Sequence, residues 1–526
     1  TPAVAGEHPV VATVTDAAGA QASRSFVLGI AGDGLAWDEQ GKWTYTVEDG
    51  VATVTSGPST GDIVVPATLA GIPVAAIGPS AFSGCTALTS IAFPPTVTSI
   101  GASAFYGCTA LTNAPLPDGL AALGTRAFQG CSSLASIALP DGVTSIPPYA
   151  FAYCSALASV TFGDSVTSIG NYAFNQCRAL ASIDFPGTLQ SIGEYAFEYC
   201  AGLAAVDFPA SLATIGQYAF RAAGLRDLFV PATVSNLASR AFWESRSLTN
   251  VVFGVGTKSI PWGIFDQCTG LRSVTLPEGL VSVGSIAFRG CSSLVSVDFP
   301  STLATIGERA FDECKGLASV TVPDSVTALG DNAFRNCSAL TNAVVGTGVS
   351  AIPTGLFDSC TSLAAVTLPP GITSIGANAF NLCSSLADPP DLDGVVSIGN
   401  SAFSSCAFTD IAIPSSVTNL GSEVFRNCSA LTNAVVEADV SAIPSSLFNS
   451  CSSLVSVSLP SSISSIGSYA FYGCSALPAI ELPASLQSIG MYAIRNCTSL
   501  AGIAFPASLT AVAADAFSYC TGLTAV

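Results

Sequence analysis

The chain is poor in the residues on which most enzyme chemistry depends. It has one histidine (His8), one methionine and only 16 Lys and Arg among 526 residues. A single His outside the repeats described below nearly excludes a Cys–His or Ser–His–Asp nucleophile. Zinc needs ligands paired at short spacing, and the closest two cysteines come to each other is 22 residues. No G-x-x-x-x-G-K phosphate loop is present. Sixteen basic residues against 35 acidic give a net charge of −19, which excludes a nucleic-acid partner and an anionic membrane surface. No apolar run is long enough to cross a bilayer, so no direct membrane insertion is expected. The start, Thr1-Pro2-Ala3-Val4, has neither the basic nor the apolar part of a secretion signal, and the chain reads as a fragment of a longer protein. Catalytic residues, metal ligands and cofactors are all expected to be absent.

Apolar residues make up 49% of the chain, too many for disorder. They are organised by a period. Cysteines fall at 85, 108, 131, 154, 177 and 200, then at 268 through 406, then at 428 through 520. The step is 23 residues, or 22 near Ala223 and at Cys406, and Ala223 and Ser245 stand in the cysteine slot of two further repeats. All 18 cysteines therefore share one register, and about 20 coils are implied. The unit reads C-x-x-L-x-x-I-x-F-P-x-x-V-x-x-I-G-x-x-A-F. One such unit cannot bury its own apolar face, but stacked units can. L-x-x-I-x-F predicts a strand ended by a proline such as Pro94, and V-x-x-I-G a second extended piece that turns at glycine. A-F-x-x-C-x-x-L has the spacing of a short helical turn.

This signature resembles the leucine-rich repeats of the bacterial surface antigen A (BspA) type, also known from Treponema pallidum, over residues 62–526. The resemblance implies a leucine-rich-repeat solenoid: a right-handed superhelix with a parallel sheet on its concave side, short strands and helical turns elsewhere. It also implies a cell-surface or secreted location outside a bacterial cell, and adhesion to host or bacterial surface proteins of the extracellular-matrix or glycoprotein type. The solenoid is expected to act as a monomer. Residues 33–61, with Trp37, Trp43 and Tyr45, are expected to cap the first coil. Residues 1–32 read as a hairpin, Val10–Asp16 and Ser25–Leu28 about an Ala17–Ala20 turn, similar to the end of a bacterial immunoglobulin-like domain. A longer period also runs through the chain, because LTNVVFGVGTKSIPWGIFDQC at 248 recurs at 340 and 431, four coils apart. It points to growth by block duplication.

The variable slots hold the candidate site. Tyr149, Tyr172, Tyr195 and Tyr218 occupy one slot on four successive coils, with Tyr153 and Tyr199 one turn away and Asp184 and Asp207 on the strand face. Together they suggest an acidic, aromatic surface for a protein partner. The same tyrosine spacing also suits a ladder that merely covers the core. Ten of the 16 basic residues lie between Arg221 and Arg335 among ten acids, a pattern that fits a salt-bridged surface, with Trp243 and Trp262 as an alternative anchor. Paired carboxylates such as Asp312-Glu313 are expected on solvated surface. Asp391-Leu392-Asp393-Gly394 reads as a degenerate turn more than a calcium loop. The cysteines are expected to be reduced, buried fillers. Three functions remain open: adhesion module, passive stalk, or targeting arm of an enzyme encoded outside the fragment.

Overall fold

The computed structural model describes residues 6–15, 21–30, 36–37 and 41–525. Two compact units follow one another, residues 1–248 and 249–526. Both are parallel-sheet solenoids, and most coils contribute two short strands to two separate sheets. The first strand comes from the L-x-x-I-x-F segment. Ser136–Ala138 pairs in parallel with Ser159–Thr161, and in the second unit Ser319–Val322, Asn342–Val345 and Ala365–Thr367 stack in register. The second strand comes from V-x-x-I, as in Ser145–Ile146, Ser168–Ile169, Ser191–Ile192 and Thr214–Ile215, where serine or threonine faces out and isoleucine faces in. Between the two strands the proline carbonyl accepts from the N–H three residues on (Val97 to Pro94, 3.1 Å), so the slot that ends one strand also makes the turn into the next. Glycine follows the second strand because the coils touch there. A Cβ on Gly193 would lie 2.7 Å from the Asn171 nitrogen of the preceding coil.

The core is a column of identical side chains. Phenylalanines three residues before the cysteine slot stack at 5.0–5.6 Å from Phe82 to Phe242, and at 5.2–5.9 Å from Phe265 to Phe471. Leu111, Val143 and Ile192 and their equivalents close round them, fully buried. At the N-terminal end the strand Val51–Ser56 pairs in parallel with Ile72–Ile77 and antiparallel with Thr44–Glu48, and Trp43 meets Phe82 edge-on at 6.2 Å. The same sheet continues outward through Ala36–Trp37 to a hairpin of Gly6–Thr15 and Gln21–Ile30. Its turn, residues 16–20, lies outside the described residues.

No helix occurs among the described residues, so the expected helical turn at A-F-x-x-C-x-x-L is corrected. Each coil instead places two residues in the left-handed region, five and one before the cysteine slot: Tyr149 (φ 59°) and Tyr153 (φ 63°), Arg126 (φ 62°) and Gly130 (φ 77°), Asn332 (φ 57°) and Asn336 (φ 57°). A left-handed residue every fourth position breaks an α-helix. Its hydrogen bonds are replaced by an alternation. The N–H groups of Ala81, Ser83 and Cys85 bond three residues back within their own coil. Those of Ser80, Phe82 and Gly84 reach the carbonyls of Ala102, Ala104 and Tyr106 on the next coil at 2.6–2.9 Å. All six N–H groups of this corner are thus satisfied.

All 18 cysteines are free thiols, and 16 of them are buried. Their slot takes a small side chain, Ala223 included, and where that side chain can donate it makes a bond to the preceding coil. The Cys108 thiol donates to the Phe82 carbonyl of the preceding coil (3.1 Å), the same bond recurs at 3.3 Å at Cys337, and Ser245 reproduces it with a hydroxyl on Phe220 (2.9 Å). Serine in this register is a substitute donor.

Candidate functional site

The slot five before the cysteine follows the second strand by two or three residues. In successive coils it holds Arg126, Tyr149, Tyr172, Tyr195, Tyr218 and Arg240. The tyrosine rings stack face to face at 4.6, 4.6 and 4.8 Å, with interplanar angles of 4°, 9° and 18°. That separation is the strand-to-strand distance of the underlying sheet, so coil stacking sets it. The Arg126 guanidinium lies 5.2 Å from the Tyr149 ring centre and covers one end of the stack. At the other end Arg240 donates to the Tyr218 hydroxyl (3.2 Å) and lies over Trp243 (5.0 Å). The four rings are half-buried, which leaves their edges to solvent. Burial pushes the Tyr172 phenol up to about 12, helped by Tyr195, Tyr149, Glu198 and Glu194, and burial raises Tyr195 as well. Both are neutral donors at ordinary pH.

Tyr153 and Tyr199, exposed to 46% and 36%, stand in the slot immediately before the cysteine. Tyr199 receives the Arg221 guanidinium at 5.2 Å. Asp184 and Asp207 are exposed but follow first-sheet strands, Ser182–Ile183 and Ala205–Val206, whereas the tyrosines follow second-sheet strands. The acids that act on the tyrosines are Glu194 and Glu198.

Of the ten central basic residues five are exposed and five half-buried, but three of their carboxylate partners are buried. The slot two before the cysteine pairs Glu198 with Arg221 in the first unit and alternates Asp266, Arg289, Asp312, Arg335 and Asp358 in the second. In the first unit Arg221 bridges Glu198 (2.9 Å) and Glu244 (3.1 Å) and stacks on Trp243 (4.1 Å), while Asn175 donates to the second Glu198 oxygen (2.7 Å). Burial raises Glu198, and Arg221 opposes the rise. In the second unit Arg289 grips Asp266 with two bonds (2.9 and 2.8 Å), and Arg335 grips Asp312 the same way (3.0 and 2.9 Å). Asp266 and Asp312 are 0% and 1% exposed, so Asp312 is no solvated carboxylate; its neighbour Glu313 is half-buried. Sequence reasoning missed this ladder. Its signal was Asp266, Asp312 and Asp358 alternating with Arg289 and Arg335 in one slot. At Asp391 the carboxylate accepts from the Asp393 N–H (2.9 Å), a local turn. Among the described residues no three His, Cys, Asp or Glu converge as metal ligands, and no helix is long and apolar enough to cross a membrane.

Beside the tyrosine stack runs an open groove of about 770 Å³. Its floor is the Ile-Gly corner of three coils, Ile169-Gly170, Ile192-Gly193 and Ile215-Gly216, and Leu237-Ala238 continues it. Asn171, Glu194 and Gln217, each directly preceding a stacked tyrosine, line one side.

Comparison with known proteins places these coils. A family model described as the BspA type leucine rich repeat region (6 copies) matches residues 70–181, 144–272, 258–387 and 396–524. Among solved structures, the chain is similar to a leucine rich cell surface protein from Faecalibacterium prausnitzii, with 28% identity over 76% of this chain and 94% of that one (TM-score 0.38). A leucine-rich repeat protein from Bacteroides ovatus shares 24% identity over 92% of each chain (TM-score 0.30). The T. pallidum leucine-rich repeat protein shares 26% over 48% of this chain and 87% of its own (TM-score 0.22). No curated protein matches.

Proposed function

The chain belongs to the BspA-type leucine-rich-repeat family, and from that premise we propose that it is a non-enzymatic adhesion module at a bacterial cell surface, engaging a surface protein through the tyrosine stripe between Arg126 and Arg240. One observation carries the reading. Tyr149, Tyr172, Tyr195 and Tyr218 all sit at φ 56–59°, in a slot that is left-handed in every coil and holds Gly263, Asn332, Ser103, Arg309 or Ile286 elsewhere, but the same bulky ring on four coils running only here. A bulky residue there costs about 1–2 kcal/mol relative to ordinary backbone. The slot accepts many residue types, so four successive stacked tyrosines point to a role for what their rings present. Stacked phenol edges offer large area already fixed in place, so a partner orders little when it binds. Tyr153, Tyr199 and Glu194 extend the stripe, while Asp184 and Asp207 belong to a separate patch. The non-enzymatic part rests on the buried carboxylates: Glu198, Asp266 and Asp312 are each committed to an arginine, which leaves none as a free acid or base in a cleft.

The test replaces Tyr149, Tyr172, Tyr195 and Tyr218 with Ser, a residue the same slot already holds at Ser103 and Ser401. Adherence of the purified chain to a layer of extracellular-matrix glycoprotein is expected to vanish. Undiminished adherence, with circular dichroism unchanged, would remove the stripe from the argument. A spacer role is the second reading for residues 249–526, where the duplicated blocks put small residues, Gly263, Gly355 and Ser446, in the tyrosine slot.

A further inference from the structure

The groove beside the stripe has a chemistry of its own. Three coils contribute Ser168, Ser191 and Thr214 as outward residues of paired strands, and a fourth contributes Asn236 in the same register. Across the floor stand Asn171, Glu194, Gln217 and Ser239. Two polar rails thus run from coil to coil, perpendicular to the strands. In the three preceding coils the second rail's slot holds Ala102, Thr125 and Pro148; acids and amides return to it later at Glu308, Asp331 and Asn400, but only Asn171, Glu194 and Gln217 make a run of three successive coils.

Each class of ligand can be weighed against this lining. No Lys or Arg lines the groove and Glu194 does, which disfavours an anionic chain. A peptide recognised by strand addition needs a sheet edge of useful length, but three of the four strands under the floor are hydrogen-bonded on both sides, and the edge strand, Asn236–Leu237, is two residues long. An apolar ligand would find Ile169, Ile192 and Ile215 turned inward and buried. What remains is a long, uncharged molecule with hydrogen-bonding groups along both edges. The hydroxyls, the Gln217 amide and the Glu194 carboxylate each offer a sugar hydroxyl both a donor and an acceptor, or two acceptors, and Asn171, whose Oδ1 accepts from the Glu194 N–H (2.9 Å), offers its amino group.

The geometry points to a neutral polysaccharide chain laid along the groove, held between the Ser168–Asn236 rail and the Asn171–Ser239 rail. The inference rests on reading this half as a binding module, but not on the tyrosine stripe being the protein-binding face.

Affinity electrophoresis in native gels tests it. The full chain is run through gels containing barley β-glucan, hydroxyethyl cellulose, yeast mannan or galactomannan, with heparin as the anionic comparison. At least one neutral polymer is expected to retard the chain and heparin is not. The double variant Ser191→Lys/Thr214→Lys places two long cations across the floor from outward-facing positions, and retardation should fall at least tenfold. Glu194→Gln/Gln217→Ala, a smaller change, should weaken it severalfold. The tyrosine-to-serine variant keeps both rails and should be retarded like the parent even where its adherence is lost, so the two readings fail separately. Absence of retardation in all four neutral gels, or retardation that survives both groove variants, overturns the proposal.

Discussion

Removing the Arg335 guanidinium should expose how much of this solenoid is held by charge. Arg335 donates two bonds to Asp312, at 3.0 and 2.9 Å, and the carboxylate is 1% exposed against 28% for the arginine side chain. In Arg335→Met the carboxylate stays buried with only Asn336 Nδ2 within 3.5 Å, too long to replace the fork. Breaking one side of a buried pair costs about 3–5 kcal/mol. Water already reaches the arginine, so the lower end applies, about 3 kcal/mol. The assay is hydrogen exchange at the Glu313 amide, which donates to the Arg335 carbonyl (2.9 Å) and ties the two coils together. At about 1.4 kcal/mol per tenfold, exchange should speed up about 100-fold or more. The double variant Asp312→Asn/Arg335→Met should recover most of the loss, because Asn175 and Asn381 already occupy this slot. If Arg335→Met accelerates exchange less than about fivefold, the pair behaves as a surface salt bridge worth at most about 1 kcal/mol, and the buried-ladder reading is wrong.

Four further outcomes follow from the coil. Cys337→Ser should keep the bond to the Phe311 carbonyl and shift stability by less than about 1.5 kcal/mol in urea unfolding, whereas Cys337→Val, which cannot donate, should cost more. Leu382, exposed and at φ 59° in a slot where Asn336 and Asn427 stand elsewhere, should gain about 0.5–1 kcal/mol when changed to Asn, read as a higher urea midpoint. The buried thiols set an alkaline limit. Burial pushes Cys200, Cys428 and Cys474 from 9.0 to about 12, so the folded chain holds protons that the unfolded chain releases. Their stabilisation is complete below about pH 9 and is lost as pH rises toward 12. Circular dichroism should therefore show unfolding in that window. Thiol reagent at pH 8 should label only the partly exposed Cys85 and Cys520 quickly in the native chain, and all 18 cysteines in denaturant.

The architecture was legible because the period is strict. Cysteine, phenylalanine and leucine each keep one slot, and a solenoid is the arrangement in which one slot becomes one column. The corner was misread for a physical reason. Phe197, Cys200 and Leu203 have helical spacing, and a succession of tight turns satisfies that spacing equally well. What separates turns from helix is left-handed backbone, and glycine marks it only in some coils (Gly84, Gly107, Gly130). Tyrosine, arginine and glutamate hold the same conformation elsewhere, and composition does not announce them. The ion ladder escaped for a different reason. Charge was summed over a stretch, where Asp266, Arg289, Asp312 and Arg335 nearly cancel. Aligned by slot they alternate, and the structure shows that slot facing inward. The tyrosine column was visible in the sequence, but its strain and its arginine ends were not.

The corner gives every coil a plug and a socket. Three N–H groups, as on Ser80, Phe82 and Gly84, project toward the following coil, and three carbonyls, as on Ala102, Ala104 and Tyr106, meet them. Both partners are backbone, so the joint carries no sequence code, and any coil mates with any other in one orientation. A segment copied in whole coils arrives with its connectors matched and needs no new interface. The recurrence at 248, 340 and 431 is what such a joint permits. Length can then change by duplication while individual coils drift in the outward slots, where a stripe of tyrosines or a polar groove can arise without disturbing the column beneath.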